Sequence, residues 1–306
     1  MRLLFEFFAF QLFKWIVLAL PLKSAQRLGS YLGGAAYRLM SSRRAVALDN
    51  LLHAFPEKSE RERVAIARGA FRNYGIALVE LLWFPNLNDA SLRKLLTVKN
   101  LDLMVHASRE GKGLVMLSGH FGNWELIAAG VGYLSKLPIT VIVQTQSNNY
   151  VDRVINRHRC LFGNTVVPMG KSVREILTAL KQGKVVAIAP DQSGPMEGVF
   201  VDFFGRSVAT HQGPAAFALR TGAPMQMGFI IRKEDGTYEV TLEQVSTSGL
   251  TGDDEESVIE LTRRHTALLE QYIRKYPDHW LWMHRRWKHT WESVRREKQL
   301  SQDAAP

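Results

Sequence analysis

The chain has 306 residues, of which 46% are hydrophobic, and this composition is that of a globular protein rather than of a disordered or low-complexity chain. Its 39 lysines and arginines against 29 aspartates and glutamates give a formal net charge of +10, which favours anionic partners: a phospholipid, a phosphorylated glycolipid, an acidic carrier protein or a nucleic acid. The one cysteine, Cys160, excludes an intramolecular disulfide and every multi-cysteine metal site.

An apolar segment opens the chain. Residues 3–22 would reach about 30 Å as one helix, which is the thickness of a bilayer core. Three polar side chains interrupt the segment within one arc of the helical wheel: Glu6, Gln11 and Lys14. The pattern therefore suits a helix in the membrane interface at least as well as a spanning one, and a buried core helix is the alternative. Basic residues over 23–44 follow it, and by the positive-inside rule they place the rest of the chain in the cytoplasm.

The remaining chain predicts one α/β domain. Residues 45–110 carry a helical period. Beyond them, short apolar runs alternate with helical stretches, which is typical of a largely parallel sheet. The runs that predict strands are 113–119, 139–144, 185–190, 224–231 and, as an added edge strand, 238–245. The helical stretches are 123–134, 150–163, 172–183 and 253–275. We expect a largely parallel central sheet flanked by helices over residues 23–306, preceded by an N-terminal membrane-associated helix over residues 1–22.

One histidine stands out as a candidate general base. The segment LSGHFGNWELIAAG places His120 five residues before Glu125. That spacing recurs at His265 and Glu270, but those residues lie in a helical stretch, where five residues separate side chains by about 140°. His120 instead follows a strand, at the edge where open α/β sheets hold their sites. A carboxylate beside an imidazole fixes its tautomer, so Glu125 and His120 predict base catalysis, with a structural histidine at a turn as the alternative.

Other catalytic patterns are missing from the sequence. There is no GxSxG nucleophile elbow, no HExxH motif and no acidic metal cluster, and Thr165 stands where a Walker A loop needs glycine. Cys160 lies in a helical stretch and is interpreted as an inert thiol. We therefore expect no metal and no cofactor, and a direct transfer to a hydroxyl that His120 deprotonates.

Four ordered blocks carry a family resemblance: SGHFGNWE, PDQSGP, VFVDFFGRSVAT and HWLWMHRRWK. They resemble the signature blocks of the bacterial late acyltransferases of lipid A biosynthesis, the lauroyl and myristoyl transferases of the lysophospholipid acyltransferase superfamily. The resemblance implies a glycerol-phosphate acyltransferase-like fold and an enzyme on the cytoplasmic face of the inner membrane. It also implies transfer of a fatty acyl group from acyl carrier protein, or coenzyme A, to a hydroxyl of an anionic glycolipid, a lipid A precursor. The Glu-Gly-Thr-Arg block of the glycerolipid enzymes is absent, which weakens a glycerol-phosphate acceptor.

The same resemblance implies roles for individual residues. His120 is the base, Glu125 its orienting carboxylate, and Arg159 binds an anionic group or the oxyanion. Backbone N–H groups at the helix start near Asn123 are a second candidate for the oxyanion site. With the basic residues of the last block, the substrate-binding assignments are Arg159, Asn123, Asp191, Gln192, Phe203, Phe204, Gly205, Arg285 and Arg286.

The last block alternates cations with tryptophans. Residues 280–291 place Arg285, Arg286 and Lys288 among four tryptophans, as is typical of contact with lipid headgroups. A solvated basic end packed by its tryptophans is the alternative. Single-stranded nucleic acids are bound by similar patterns, but no nucleic-acid motif accompanies this one, so we expect no such partner.

Three hypotheses follow. The first is a lipid A O-acyltransferase. The second keeps the chemistry and changes the acceptor to a phosphatidylinositol mannoside or to another glycolipid or aminolipid. The third is a non-catalytic membrane-binding protein that uses the basic aromatic end.

Overall fold

The computed structural model describes residues 1–170 and 172–295. Eleven α-helices form within them: α1 (Arg2–Ala19), α2 (Leu22–Leu39), α3 (Ser41–Ala54), α4 (Glu60–Trp83), α5 (Asp89–Leu95), α6 (Leu101–Arg109), α7 (Trp124–Ser135), α8 (Asn149–Arg159), α9 (Ser172–Lys181), α10 (Gly213–Thr221) and α11 (Glu255–Lys275). Nine strands accompany them: β1 (Leu96–Lys99), β2 (Leu114–Ser118), β3 (Ile139–Val143), β4 (Thr165–Pro168), β5 (Val185–Ile188), β6 (Val199–Phe203), β7 (Arg206–Thr210), β8 (Met225–Arg232) and β9 (Tyr238–Val245).

Seven strands form one mostly parallel sheet in the order β1-β9-β8-β2-β5-β3-β4. The pairing of β8 with β9 is antiparallel, and the other five pairings are parallel. This arrangement confirms the expected α/β class with a largely parallel sheet. The strands β6 and β7 form a separate hairpin.

The central strand β2 is covered on both faces. Its alternate side chains divide between two core clusters, because successive residues of a strand point to opposite faces. Val115 and Leu117 pack in one cluster, while Leu114 and Met116 pack in the other. Burial on both faces explains why this strand is a continuous apolar run rather than an alternating one.

Two expectations about the sheet were wrong. β9 is not an edge strand, because β1 pairs with it in parallel and takes the edge. The helical period expected over residues 45–110 is interrupted by β1, which lies between α5 and α6. β1 has only four residues, which is too few to interrupt the helical pattern of apolar residues on either side of it in the sequence.

Most of the apolar segment over residues 3–22 forms one helix, α1. α1 ends at Ala19, and Pro21 is the N-cap of α2, because proline has no N–H to continue the first helix. Among the helices of residues 1–170 and 172–295, none has the length and apolar character to cross a membrane. α1 nevertheless exposes an apolar stripe at helical spacing, in which Phe5, Phe8, Leu12 and Trp15 are 64–77% exposed.

Glycines allow α2 to pack unusually close to α4. A Cβ on Gly33 would overlap the carbonyl oxygen of Phe71, and one on Gly29 would lie 2.7 Å from the carbonyl oxygen of Gly75. The backbones of the two helices therefore touch along this line. The contact fixes the N-terminal helices against α4, which carries a buried carboxylate described below.

Candidate active site

His120 lies on a tight turn at the carboxyl end of β2. Gly122 has a φ of +57°, and a Cβ there would overlap the carbonyl oxygen of Ile230, so only glycine fits. The N–H of Gly122 donates to the carbonyl of His279 at 2.7 Å, and the N–H of Leu281 donates to the carbonyl of His120 at 3.0 Å. His120 is therefore held by the chain segment around Trp280 as well as by its own strand.

Asp191 is the carboxylate that contacts His120. It follows β5, the strand paired with β2, so the ends of two neighbouring parallel strands bring the residues together. Its Oδ1 lies 2.8 Å from Nδ1 of His120, while its Oδ2 accepts the backbone N–H of His120 at 2.7 Å and the indole N–H of Trp280 at 2.9 Å. The Asp191 side chain is only 2% exposed. Because this carboxylate occupies Nδ1, Nε2 is the ring nitrogen that remains to act as a base.

The pair shifts the pKa of both members. Burial would lower the pKa of His120, but the charge and the hydrogen bond of Asp191 outweigh it and raise that pKa above its ordinary value. Burial would raise the pKa of Asp191, but the same histidine and the two N–H donors lower it. Asp191 is consequently ionised at neutral pH and holds the Nδ1–H tautomer of His120.

Glu125 does not make the contact expected of it. Its two oxygens accept Nε and Nη2 of Arg159 at 2.8 and 2.6 Å, which is a bidentate ion pair. Glu125 lies in the first turn of α7 and Arg159 ends α8, and their side chains are 10% and 15% exposed. The expectation that Glu125 orients His120 is therefore corrected: Asp191 takes that position, because the turn at Gly122 directs His120 towards β5.

Asn123 belongs to a buried network rather than to an open subsite. Its Oδ1 caps α7 by accepting the N–H of Leu126 at 3.1 Å, and its Nδ2 donates to Glu80 at 2.5 Å. Glu80, on α4, also accepts Nε2 of Gln26 and the hydroxyl of Tyr238, each at 2.7 Å. Burial raises the pKa of Glu80, and its three donors oppose that shift. Sequence patterns missed this carboxylate because it lies in the middle of a long helix.

The other predicted substrate-binding residues divide by exposure. Nε2 of Gln192 lies 3.5 Å from Nε2 of His120, so this side chain borders the reactive nitrogen. Arg285 is exposed. Arg286 is only 1% exposed, and it donates to the carbonyl of Ala209 at 2.8 Å and to Thr210 Oγ1 at 2.7 Å, so its assignment as a substrate contact is corrected.

The Phe-Phe-Gly turn is also structural. Phe203 and Phe204 are 0% and 7% exposed and pack among the tryptophans of the last block, and Gly205 forms the β6–β7 turn with them. The N–H of Phe204 donates to Glu270 at 2.6 Å. Phe203 and Phe204 are therefore core residues, and their assignment to substrate binding is corrected, whereas Gly205 is exposed.

The tryptophan-rich end is largely buried. Trp280 and Trp282 are 2% and 0% exposed, and the indole N–H of Trp280 donates to Asp191. The prediction that these two rings lie among lipid headgroups is therefore wrong, because both are buried in the protein. Trp291, in contrast, is exposed. The two residues of the second His-x4-Glu pair do not bond to each other, as expected, because Glu270 accepts a hydrogen bond from Arg274. His265 is buried, and burial lowers its pKa to about 3.

Comparison with known proteins places the chain in a family. Residues 2–289 match the family model described as bacterial lipid A biosynthesis acyltransferase. The chain belongs to this family. It is 29% identical over 278 residues to the lipid A biosynthesis palmitoleoyltransferase of Escherichia coli K12, with 90% of this chain and 88% of the relative covered. The lauroyltransferase of the same organism is 29% identical over 92% of this chain and 90% of the relative.

A relative with a different acceptor in its name also matches. The phosphatidylinositol mannoside acyltransferase of Mycolicibacterium smegmatis is 24% identical over 277 residues, with 89% of this chain and 88% of the relative covered. Family membership makes the chain an acyltransferase, which excludes the hypothesis of a non-catalytic membrane-binding protein. The family resemblance drawn from the four sequence blocks is confirmed.

Proposed function

We propose that the chain transfers a fatty acyl group from an acyl thioester to a hydroxyl of a lipid A precursor. The observation that carries this proposal is the pairing of His120 with Asp191 in a chain that belongs to the lipid A acyltransferase family. The donor is acyl carrier protein, whose acidic surface matches the net charge of +10, and coenzyme A is the alternative.

His120 acts as the general base. Its Nδ1–H donates to Asp191, so the lone pair of Nε2 takes the proton of the acceptor hydroxyl as that oxygen attacks the thioester carbonyl. The tetrahedral intermediate then expels the thiolate, and the imidazolium returns the proton to the sulfur. Asp191 stabilises the imidazolium between these two steps.

The start of α7 supplies donors for the oxyanion. Within residues 1–170 and 172–295, the backbone N–H groups of Trp124 and Glu125 make no hydrogen bond, as is usual for the first turn of a helix. They follow His120 closely, and the helix dipole also favours negative charge there. Arg159 acts beside them by holding Glu125, since two of its nitrogens are committed to that carboxylate.

We assign the enzyme to the cytoplasmic face of the inner membrane, with α1 in the bilayer interface. The support is the apolar stripe of α1, which no other described element covers. The double variant Phe8→Glu/Leu12→Glu is expected to reduce partition to anionic liposomes by about tenfold or more, because each apolar side chain contributes on the order of 1.5–3 kcal/mol when buried. Val173→Glu, on the exposed surface of α9, is the control. Unchanged partition of the double variant would place the anchor elsewhere.

Purified enzyme tests the proposed reaction. We expect mass spectrometry to show one added acyl chain when wild-type enzyme meets acyl carrier protein thioesters and a lipid A precursor. His120→Ala, with an unchanged circular dichroism spectrum, is expected to lose about two to four decades of rate, the usual worth of a general base. A variant that keeps more than about a tenth of the rate would remove His120 from the mechanism.

A phosphatidylinositol mannoside or related lipid is the second candidate acceptor, favoured by the match to the mycobacterial relative. Assaying both acceptors with the same donor distinguishes the two. Acylation of the mannoside alone would overturn the lipid A acceptor, and coenzyme A thioesters in place of carrier protein test the donor in the same assay.

A further inference from the structure

A basic cavity lies beside the proposed active site. It has a volume of about 500 Å³, within the range of small-ligand sites. Its charged and titratable lining residues are Arg43, His211, His284, Arg285, Lys288 and His289. Ser193, which also lines it, is two residues beyond Asp191, so the cavity adjoins the catalytic pair.

The arginines and the lysine of this cavity form no ion pair within the part of the chain that the structure describes. Among the ion pairs of residues 1–170 and 172–295, none includes Arg43, Arg285 or Lys288. Three like charges around one cavity repel each other, and the repulsion is relieved when an anion binds between them. Burial lowers the pKa of His211 and of His284, so at neutral pH both are uncharged and offer hydrogen bonds rather than further repulsion.

The cavity wall is held by hydrogen bonds from four separate segments. The N–H of Gly194 donates to the carbonyl of Ala209 at 3.0 Å, and the N–H of Ala209 donates to the carbonyl of His289 at 2.9 Å. Asn50 on α3 donates to the carbonyl of His284 at 2.7 Å. The backbone that carries the basic side chains is therefore fixed before a ligand arrives, which lowers the cost of ordering an anion site.

We propose that this cavity binds a phosphate group of the acceptor lipid and thereby presents its hydroxyl to His120. Arginine, lysine and neutral imidazole together match the charge and the acceptor oxygens of a phosphate. Gln192 borders Nε2 of His120 and directly precedes the cavity residue Ser193, and this adjacency is our reason for placing the acceptor hydroxyl beside the base. The phosphate of a carrier-protein thioester is separated from its sulfur by a long flexible arm and does not have to occupy this position.

The inference rests on the proposed acyl transfer and is tested by kinetics. Arg285→Ala/Lys288→Ala is expected to raise KM for a phosphorylated lipid A precursor by about tenfold or more. The reason is that the loss of one charge-assisted hydrogen bond to the phosphate weakens binding by about that factor. KM for the same precursor with its phosphates removed, and KM for the donor, are expected to stay within about twofold. Arg109→Ala/Lys112→Ala removes the same charge from exposed positions at the opposite end of β2 and is the matched control.

A binding measurement separates failure of this inference from failure of the proposed reaction. Glucosamine 1-phosphate is titrated into wild-type protein while the imidazole resonances of His211 and His284 are followed by NMR, with glucosamine as control. Saturable shifts with the phosphate alone support the site even if the assay finds no acyl product from a lipid A precursor. A rise in donor KM instead of acceptor KM, an equal effect on the phosphate-free acceptor, or no resonance shift would each overturn the proposal.

Discussion

Replacing Asp191 by asparagine tests whether this residue fixes the tautomer of His120. Oδ2 of Asp191 accepts two N–H groups, from the backbone of His120 and from Trp280, while Oδ1 accepts Nδ1–H. An asparagine that keeps its oxygen on the two N–H groups turns its NH₂ towards Nδ1. Nδ1 must then accept, the ring proton moves to Nε2, and the base loses the lone pair that takes the acceptor proton.

The cost of recovering the productive tautomer sets the size of the effect. The reversed asparagine points its NH₂ at two buried N–H donors, and each buried unsatisfied donor costs about 1–3 kcal/mol. The productive arrangement is therefore about 2–6 kcal/mol less stable than the unproductive one, which corresponds to a loss of about 1.5 to 4.4 decades in kcat. Asp278→Asn is the matched control, because Asp278 accepts Nδ1 of His279 at 2.8 Å in a second Asp–His pair to which the proposed mechanism assigns no step.

Two measurements check this expectation. Initial rates at saturating donor and acceptor give kcat, and ¹⁵N chemical shifts of His120 report which ring nitrogen carries the proton. Because the base must be neutral, activity rises with pH through the pKa of His120, which Asp191 raises above its ordinary value. Asp191→Asn leaves burial as the dominant influence, so any residual activity is expected to persist to lower pH than in wild type. An Asp191→Asn enzyme with an unchanged tautomer and a rate within about tenfold of wild type would refute the reasoning.

Three further predictions concern packing and the supporting networks. Gly33→Ala is expected to lower the free energy of unfolding by about 1–3 kcal/mol in urea titrations, because its Cβ overlaps backbone of α4. Gly34→Ala, whose Cβ meets only a side-chain nitrogen at 3.8 Å, is expected to be neutral or stabilising. Glu80→Ala removes the acceptor of three buried donors, although Nε2 of Gln26 keeps a bond to the carbonyl of Gly236 at 2.9 Å. The variant is expected to cost about 3–5 kcal/mol, measured in the same way; a cost under about 1 kcal/mol would contradict the network. Glu125→Gln and Arg159→Met are each expected to lower kcat/KM, and the double variant to lose no more than the worse single variant; additive losses would show that the two act independently.

The place of His120 at the end of a strand could be predicted from the sequence, but its contact with Asp191 could not. His120 follows a continuous apolar strand and lies between glycines, which are local signals. Its pairing with Asp191 spans 71 residues and depends on β2 and β5 being neighbours in the sheet. Both residues follow predicted strands, so the rule that parallel strands meet at their carboxyl ends was the signal that could have joined them. Sequence spacing favoured Glu125 instead, since it considers only nearby residues.

The basic aromatic block shows the same limit for charge patterns. Alternating cations and tryptophans are common to membrane-facing surfaces and to packed cores, and the linear pattern does not tell them apart. The structure divides the block: Trp280 and Arg286 are buried behind the catalytic turn, while Arg285 and Lys288 remain exposed at the basic cavity. One short segment therefore both supports the base and supplies the charge that we propose for acceptor binding.

The helix α8 connects the apolar helix α1 to the candidate active site. Asn148, the N-cap of α8, donates to the carbonyl of Leu3 at 2.9 Å and to Glu6 at 3.2 Å, so the polar side of α1 faces the protein and its apolar stripe faces outward. α8 has 11 residues, about 16 Å in length, and ends at Arg159, which holds Glu125 beside the base. These contacts connect the helix that we propose to lie in the bilayer interface to the Glu125–Arg159 ion pair.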